Sequence, residues 1–366
     1  MLDTLALTSY DYILPQENIA LKPLYPKESA KLLVFNRQNS SITHATFKDF
    51  ATFLPKDTLV VFNNTKVLPA RIYGRKIPQN CTLDSIQNLE QSNAQSGAKI
   101  EALFHKELAQ NRYLMQFKGR LKCGHCIAFD ANIFARILDN APETSGVGFK
   151  EAEFFTFKDK QESPLSREEF FTFLENFGHI PLPPYIKRTD TKADRDDYQS
   201  VFAKHLGAIA APTASLHFSQ ESYKALMRDF NTTEITLHVG AGTFVGVSTE
   251  NILEHTMHKE YFNIPQDSAQ KLTNATHITA IGTTAARSIE EFVRSGRVNG
   301  ECDLFLHPNN PPKATNALLT NFHLPKTTLL MLVASFLGLE QTLSLYQEAI
   351  AHNYRFYSYG DGMLIL

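Results

Sequence analysis

The sequence ITAIGTTAARSIEEFVRS at residues 278–295 joins an apolar run of β-type residues to a helical pattern through Gly282 and two threonines. We predict a strand over 278–282 and a helix over 284–295 from the change in apolar period. A helix that follows a strand in this way commonly returns the chain to a parallel neighbouring strand. This stretch therefore predicts an α/β sheet.

The flanking sequence continues the alternation of helix and strand. Helical patterns occupy 192–206, 220–230, 265–275 and the apolar segment 327–339, and strand patterns occupy 57–62, 235–239 and 302–306. Segment 327–339 is too short to cross a bilayer and is predicted to be a buried helix. No Gly-rich loop of the dinucleotide-binding or Walker type follows a strand, so those nucleotide sites are disfavoured.

A different character begins near residue 74 and ends near residue 156. The strand-like pieces KIEALF, RYLMQF and CIAFD lie there among turn residues, with no helical pattern. We predict an inserted antiparallel β-barrel-like domain at 74–156, interrupting a discontinuous mixed α/β catalytic domain at 1–73 and 157–366. Residues 79–98, rich in Asn, Gln and Ser, are predicted to form a mobile loop, and a capping box at Ser166 predicts a helix up to residue 177.

Composition narrows the classes of function. The 366 residues carry a formal net charge of −2, so nucleic-acid contacts must come from local patches. The N-terminus lacks the basic and apolar regions of a signal peptide, which predicts a cytoplasmic protein with no membrane role. The four cysteines are predicted to be reduced thiols, and Cys123 and Cys126 form only half of a zinc motif, for which a plain strand turn is the favoured alternative.

Polar side chains are concentrated between Gly207 and Tyr261, in GAIAAPTASLHFS, ITLHVGAGTFVGV and EHTMHKEYF. Buried hydroxyls and imidazoles destabilise a fold unless each finds a hydrogen-bond partner, and glycine beside a strand allows a close approach. We interpret this region as the floor of an active site.

The turn after the 278–282 strand carries Thr283, Thr284 and Arg287. A helix N-terminus offers free N–H groups and a positive dipole end, so the turn suits a carboxylate or phosphate. A threonine cap with a surface arginine is an equal alternative.

The run HTMHKE places His255 and His258 three residues apart and Glu260 shortly after them. The zinc-protease pattern is absent. General acid–base chemistry by His258 with Glu260 is one interpretation, because imidazole titrates near neutral pH, and a hydrogen-bonded structural cluster is the other.

Two further segments have alternative interpretations. The C-terminal run YSYGDGMLIL, with Asp361, is either a turn that lines a site or an ordinary Asp-Gly hairpin turn. The run HIPLPPYIKR at 179–188 is either a stiff RNA-contacting segment or a solvated charged loop.

Several of these runs together resemble the S-adenosylmethionine:tRNA ribosyltransferase-isomerases of queuosine biosynthesis. They follow the family's order from residue 59 to the C-terminus: LVVFNNTKVLPARIYG, GHIPLPPYIKR, DYQSVFAKHLGAIAAPTASLHF, ITLHVGAGTF, HTMHKEYF, IGTTAAR, LLTNFHLPKTTLLMLVASF and YRFYSYGDGMLI. The chain departs from the family pattern at Lys31, where arginine is expected, at Gly362, where alanine is usual, and at Asn309-Asn310.

The resemblance implies that the ribosyl part of S-adenosylmethionine is transferred and isomerised onto aminomethyl-deazaguanine at the wobble position of tRNA with a GUN anticodon (Asp, Asn, His, Tyr). Adenine and methionine are released, and a monomer without metal is implied. A methyltransferase using the same cosubstrate and a non-catalytic tRNA-binding protein are the competing hypotheses.

The resemblance also implies roles for individual residues. Glu260 or His258 is the expected base that removes a ribose 5′ proton, and the expected donors to the leaving nitrogen or the epoxide-forming oxygen are His217, His238 and His323. The turn with Thr283, Thr284 and Arg287 is expected to hold the methionine carboxylate, and Asp361 the ammonium of the modified base. Residues expected to orient nucleoside or phosphate, or to line the cosubstrate site, are Asn63, Thr65, Arg71, Thr213, Gly242, Thr243 and Asn321.

Overall fold

The computed structural model describes residues 2–77, 97–129, 132–138, 148–240, 242 and 246–366. The chain forms two compact units, which are described separately: unit 1 is Met1–Val67 with Pro183–Leu366, and unit 2 is Leu68–Leu182. The boundaries predicted at 74 and 156 fall inside unit 2, and the domain assignment stays a prediction.

The secondary structure alternates between strands and helices in unit 1. In chain order the described strands are β1 (Lys31–Asn36), β2 (Ser41–Thr46), β3 (Leu59–Asn63), β4 (Thr65–Val67), β5 (Arg71–Lys76), β6 (Lys99–Ala109), β7 (Arg112–Lys118), β8 (Cys126–Ala128), β9 (Ile133–Ile137), β10 (Phe149–Lys158), β11 (Gln161–Pro164), β12 (His205–Ala208), β13 (Asn231–Leu237), β14 (Glu260–Asn263), β15 (Ile278–Ile281), β16 (Asn299–Cys302), β17 (Ala317–Asn321) and β18 (Gly362–Ile365). The described α-helices are α1 (Phe50–Phe53), α2 (Arg167–Phe177), α3 (Asp194–Asp197), α4 (Gln220–Asp229), α5 (Gln266–Asn274), α6 (Thr283–Ser295), α7 (Thr328–Leu337) and α8 (Leu339–Ala351). The 3₁₀ turns are Leu7–Tyr10, Gln16–Asn18, Lys27–Ser29, Phe47–Asp49, Thr213–His217 and Ile252–Glu254.

Unit 1 is built on a nine-stranded mixed sheet in the order β16-β14-β13-β3-β15-β17-β18-β1-β2. The central strands β13, β3, β15 and β17 run parallel, as the sequence predicted. Strands β3, β15 and β17 are buried along their whole length, which explains their near-continuous apolar sequences. Because parallel strands share a direction, their carboxyl ends meet at one edge of the sheet.

Most predicted elements of unit 1 are confirmed. The helix predicted at 284–295 is α6, which begins after Gly282 and ends at Gly296 in the left-handed conformation. Gly282 itself has φ 90°, a backbone conformation that favours glycine. Helices α4, α5 and α7 match the predictions for 220–230, 265–275 and 327–339, and α2 has the predicted capping box at Ser166.

The helix predicted at 192–206 is wrong. Only Asp194–Asp197 is helical, because the Asp194 carboxylate accepts both guanidinium nitrogens of Arg188 and the N–H of Thr191. The end of this segment instead pairs in parallel with β4 as strand β12. The ion pair also commits Arg188 within the protein, and so weakens the RNA-contact interpretation of 179–188.

The strand predicted at 302–306 is also wrong. Strand β16 ends at Cys302. The carbonyls of Cys302 and Leu304 accept hydrogen bonds from the Arg287 guanidinium, at 3.3 and 3.2 Å, and so cannot serve a ladder. The Asp-Gly hairpin interpretation of the C-terminus is wrong as well, because β18 runs parallel to β1 and inserts beside β17.

Unit 2 contains a closed antiparallel barrel. Its strands follow the order β10-β7-β6-β5-β8-β9, and β9 pairs with β10 to close the ring, while β11 extends from β10. Helix α2 packs its phenylalanines inward, and Phe170 stacks on Tyr113 with ring centroids 3.8 Å apart. The predicted β-barrel-like architecture is therefore confirmed.

The cysteine prediction needs correction. Cys126 is disulfide-bonded, whereas Cys123 is an exposed thiol and Cys302 a buried one. Sequence spacing does not report which thiols a barrel brings together, which explains the error. Cys81 and most of the predicted 79–98 loop lie outside the described residues.

Among the described residues, no single helix has both the length and the apolar content to cross a membrane. Helices α7 and α8 pass that test only as a pair, across a bend of 109°.

Candidate active site

Most of the predicted site residues of unit 1 line the carboxyl edge of the parallel strands or its immediate neighbourhood. In open α/β sheets this edge is where ligands bind, since helix N-termini and loop side chains converge there. The contacts form a nearly continuous series from β14 across β13, β3 and β15 to β17.

Asn63 joins three elements at the end of β3. Its amide nitrogen donates to the Leu237 carbonyl at 3.0 Å and to the Thr284 hydroxyl at 3.1 Å, and its oxygen accepts from the Leu237 N–H at 3.0 Å. The side chain is buried. Asn63 therefore fixes the mutual position of β3, β13 and α6, and its amide is already committed within the protein.

His238 follows β13 and contacts Thr65 and Gly207. The Thr65 hydroxyl lies 2.7 Å from His238 Nδ1, and a Cβ at Gly207 would lie 2.6 Å from the imidazole. Burial, with a smaller effect of His205, lowers the pKa of His238 to about 4. The imidazole is therefore neutral near pH 7, and Nε2 has no partner among the described residues.

Glu260, Arg287 and His258, with Gly242, form a second part of the site that we call the ion-pair group. Arg287 donates to the Glu260 carboxylate, and both side chains are buried. The other Glu260 oxygen accepts from the Gly240 N–H at 2.8 Å. The carboxylate is therefore held by a cation and a backbone donor.

His258 borders an open cavity in this group. The cavity is lined in part by Gly242, His255, His258, Glu260, Arg287 and Phe305. A Cβ at Gly242 would lie 2.3 Å from His258 Cδ2, so the ring lies directly against the backbone. No hydrogen bond of the His258 ring is found in the described part of the chain, and the segment before β14 is not helical.

His217, Thr320, Asn321 and His323 lie at the β17 end of the edge, and we call them the buried histidine group. The Asn321 amide donates to His217 Nε2 at 3.3 Å and to the Tyr357 carbonyl at 3.1 Å. Thr320 Oγ1 lies 2.8 Å from His323 Nε2. Burial, with smaller effects of Arg355 and Lys27, lowers the pKa of His217 to about 3, and burial alone lowers that of His323 to about 3.

The turn before α6 connects these groups. Thr284 contacts Asn63, and Arg287 one turn later contacts Glu260. On the other side, a Cβ at Gly282 would lie 3.6 Å from Ala214, in the 3₁₀ turn Thr213–His217. Within the described residues no acceptor is found for the N–H groups of 283–285, so the helix N-terminus presents free donors and a positive dipole end.

Asp361 is buried at the start of β18 and is committed to protein contacts. It accepts from the Lys31 N–H at 3.0 Å and from the Arg355 N–H at 2.7 Å. Burial raises the pKa of its carboxyl group, although these donors oppose the shift. Thus Lys31 contacts the site through its backbone.

Two other predicted residues are not part of this series. Arg71 belongs to unit 2, where it lies 3.3 Å from Glu101 in an ion pair. Thr213 begins the 3₁₀ turn beside Gly282, and Thr243 lies outside the described residues.

Comparison with known proteins decides the family. The model of the family described as queuosine biosynthesis protein matches residues 7–365. The chain belongs to this queuosine biosynthesis family.

Members of the family with curated names are similar to the whole chain. The S-adenosylmethionine:tRNA ribosyltransferase-isomerase of Aliarcobacter butzleri is 48% identical, covering 100% of both chains. The protein of that name from Helicobacter pylori is 49% identical, covering 98% of this chain and 99% of the relative. The structure of an S-adenosylmethionine tRNA ribosyltransferase from Thermotoga maritima is 27% identical, with a TM-score of 0.51, over 98% of this chain and 100% of that chain.

Sequence reasoning missed several residues that shape this queuosine-family site. Gly240 supplies the N–H that holds Glu260, and Gly207 admits the His238 ring. Tyr357, with φ 72°, presents its carbonyl to Asn321. The glycines of HLGAI and HVGAG were the available signal, since each allows close approach. No sequence signal marks the Tyr357 conformation.

Proposed function

We propose that this chain is an S-adenosylmethionine:tRNA ribosyltransferase-isomerase. It transfers and isomerises the ribosyl group of S-adenosylmethionine onto 7-aminomethyl-7-deazaguanine at the tRNA wobble position, giving epoxyqueuosine and releasing adenine and methionine. The full-length similarity to relatives that carry this name is the observation that supports the proposal most strongly. Its substrates are tRNAs with a GUN anticodon, for Asp, Asn, His and Tyr, and it acts as a monomer.

The methionine carboxylate binds at the N-terminus of α6. The free N–H groups of 283–285 and the hydroxyls of Thr283 and Thr284 are suited to an anion. Arg287 adds positive charge from one turn further along, although its guanidinium is bound to Glu260. We therefore expect backbone N–H groups to make the direct contacts.

His258 is the better candidate for the base that removes the ribose 5′ proton. Its ring borders the cavity, with no hydrogen-bond partner among the described residues, so a lone pair is available. Glu260 would first have to release Gly240 or Arg287. Glu260 therefore acts as the counter-ion that keeps Arg287 in position, and the sulfonium beside the 5′ carbon assists proton removal.

The departing adenine needs a hydrogen-bond or proton donor. His238 is the best placed of the three buried imidazoles, because Thr65 holds Nδ1 and leaves Nε2 available. His217 and His323 are more deeply buried and hydrogen-bond to Asn321 and Thr320, so we assign them to support of the site. Asn321 Oδ1 is buried without a donor among the described residues, and it offers an acceptor for a substrate amino group.

Asp361 acts as a positioning residue in this proposal. Its carboxylate ties the start of β18 to Lys31 and Arg355, next to the buried histidine group. The negative charge favours the aminomethyl ammonium of the modified base through the electric field of the site.

Product analysis tests the function. Purified protein is incubated with S-adenosylmethionine and tRNA carrying 7-aminomethyl-7-deazaguanine, and the products are measured by mass spectrometry. Free adenine and methionine in equal amounts with epoxyqueuosine in the tRNA are expected. S-adenosylhomocysteine would instead identify a methyltransferase, and retained tRNA without adenine would identify a non-catalytic RNA-binding protein.

The base assignment is tested by His258→Ala and Glu260→Gln. We expect the first to lose turnover with folding retained and the second to lose both turnover and stability. Near-wild-type turnover in both variants would remove the assignment.

A further inference from the structure

A cluster of two imidazoles and a carboxylate lies outside the proposed active site. His44 is on β2, Glu348 is on α8, and His352 directly follows α8. Their potential ligand atoms all lie within 4.8 Å of one another. Neither the proposed reaction nor the core packing of unit 1 uses these side chains.

The separations approach those of a metal site. Glu348 Oε1 lies 3.2 Å from His44 Nε2 and 3.1 Å from His352 Nδ1. Zinc–nitrogen bonds of about 2.0–2.1 Å in a tetrahedron place neighbouring ligand atoms about 3.3–3.4 Å apart. Two of the three edges of the ligand triangle are therefore already near the required length.

A fourth residue orients one of the imidazoles. The Tyr354 hydroxyl lies 2.9 Å from His44 Nδ1, and the Tyr354 side chain is buried. A histidine that binds metal through one nitrogen commonly uses the other to hold a hydrogen-bond partner. With Nδ1–H donating to Tyr354, the Nε2 lone pair of His44 points toward Glu348.

The cluster is accessible to an ion from solution. The side chains of His44, Glu348 and His352 retain 35%, 34% and 50% of their exposure. The Lys31 ammonium donates to the His352 and Asn353 carbonyls, at 2.7 and 3.1 Å, and fixes the chain just after α8. Exposure on one side leaves room for water as an additional ligand.

We propose that His44, Glu348 and His352 bind Zn²⁺ or a similar divalent transition metal, with solvent in the remaining position. Two histidines and one carboxylate are a common zinc ligand set. Strand β2 is the edge strand farthest from β14 and β16 in the sheet, so the ion lies away from Glu260 and has a structural role. It links β2 to the end of α8 across 304 residues of sequence.

The test uses chelator-treated full-length protein with Cys123→Ser, which removes an exposed thiol that can also bind zinc. Zn²⁺ is titrated by calorimetry, and the unfolding temperature is measured with and without it. We expect one equivalent to bind, and the unfolding temperature to rise by roughly 5 °C at a 100-fold excess over Kd. Co²⁺ should bind with the strong visible absorption of a tetrahedral complex.

Matched variants locate the ion. His44→Ala, His352→Ala and Glu348→Gln should each weaken Zn²⁺ binding by on the order of 100-fold, and Tyr354→Phe by roughly 10-fold. His205→Ala removes an exposed imidazole elsewhere in unit 1 and should leave affinity unchanged. Circular dichroism checks folding, and the nearly isosteric Glu348→Gln variant decides if the alanine variants do not fold.

Equal Zn²⁺ uptake by the parent protein and the His44→Ala/His352→Ala variant would overturn the proposal, as would unchanged affinity in Glu348→Gln. These measurements need neither tRNA nor S-adenosylmethionine. Their outcome is therefore independent of the proposed function.

Discussion

The ion-pair group and the buried histidine group belong to the same edge of one sheet, yet they accommodate polar side chains in opposite ways. Glu260 and Arg287 are buried as charges that compensate each other, and His258 next to them faces an open cavity. His217 and His323 are buried as neutral rings, because burial lowers the pKa of each to about 3.

This difference separates two chemical tasks. An imidazole with a pKa of about 3 is neutral at pH 7 and serves as a hydrogen-bond partner, whereas an exposed imidazole beside fixed charges can exchange a proton with a substrate. We infer that proton removal belongs to the ion-pair group and that the neutral rings hold shape and offer hydrogen bonds.

Removing one charge should produce the largest effect. Arg287→Met leaves Glu260 buried without its cation, and we expect a loss of about 3–5 kcal/mol in the free energy of unfolding. Urea denaturation measures it. Arg228→Met, at a fully exposed ion pair, is the control and should show no measurable loss.

The double variant Glu260→Gln/Arg287→Met should recover much of that stability, because neither charge then lacks a partner. If Arg287→Met alone is as stable as the parent, the Glu260–Arg287 pair is not a buried, mutually compensating pair and the comparison fails.

Displacing His258 should impair catalysis more than stability. A methyl group in Gly242→Ala would lie 2.3 Å from His258 Cδ2, so the ring must move. We expect kcat to fall on the order of 100-fold, because small displacements of catalytic groups have large effects on rate. Gly246→Ala is the matched control, since a Cβ there meets no atom within 4 Å. Equal kcat values for the two variants would remove His258 as the base.

Acid pH should destabilise the protein through the neutral rings. The pKa of His217 is lowered to about 3 in the folded state, against an ordinary value of 6.5. The unfolded state therefore takes up the proton first, and stability falls as pH decreases from about 6.5 toward 3. From pH 7 to pH 5 we expect a loss of roughly 2 kcal/mol from this group. Urea melts at both pH values should show a smaller loss in His217→Gln, and an identical loss would contradict the assignment.

The smallest effect is expected between the two groups. Thr65→Val removes the hydroxyl that holds His238 Nδ1, at a cost of about 1 kcal/mol. Thr273→Val removes an exposed hydroxyl on α5 and should stay within about 0.5 kcal/mol. Thermal unfolding compares the two, and an equal cost would indicate that the Thr65–His238 contact is dispensable.

Much of the fold followed from sequence period and punctuation. The parallel core, α6 and the barrel depend on apolar runs and turn residues that are local in sequence. The errors at 192–206 and 302–306 have another origin, because Arg188–Asp194 and the carbonyls around Arg287 are tertiary contacts. Local patterns carry no information about such partners.

The site divides in the same way. Polar density identified His217, His238 and Asn321, since buried polar groups need a reason. It did not indicate that Glu260 and Arg287 bind each other, because ion pairing between β14 and α6 depends on how the strands are ordered in the sheet.

The central claim is that the ion-pair group removes a proton from the ribose 5′ carbon of S-adenosylmethionine. The most direct measurement uses S-adenosylmethionine with two deuterons at that carbon and 7-aminomethyl-7-deazaguanine tRNA, followed by mass spectrometry of the modified nucleoside. We predict that epoxyqueuosine retains one deuteron, and that His258→Ala forms little product. Epoxyqueuosine that retains both deuterons would contradict the account.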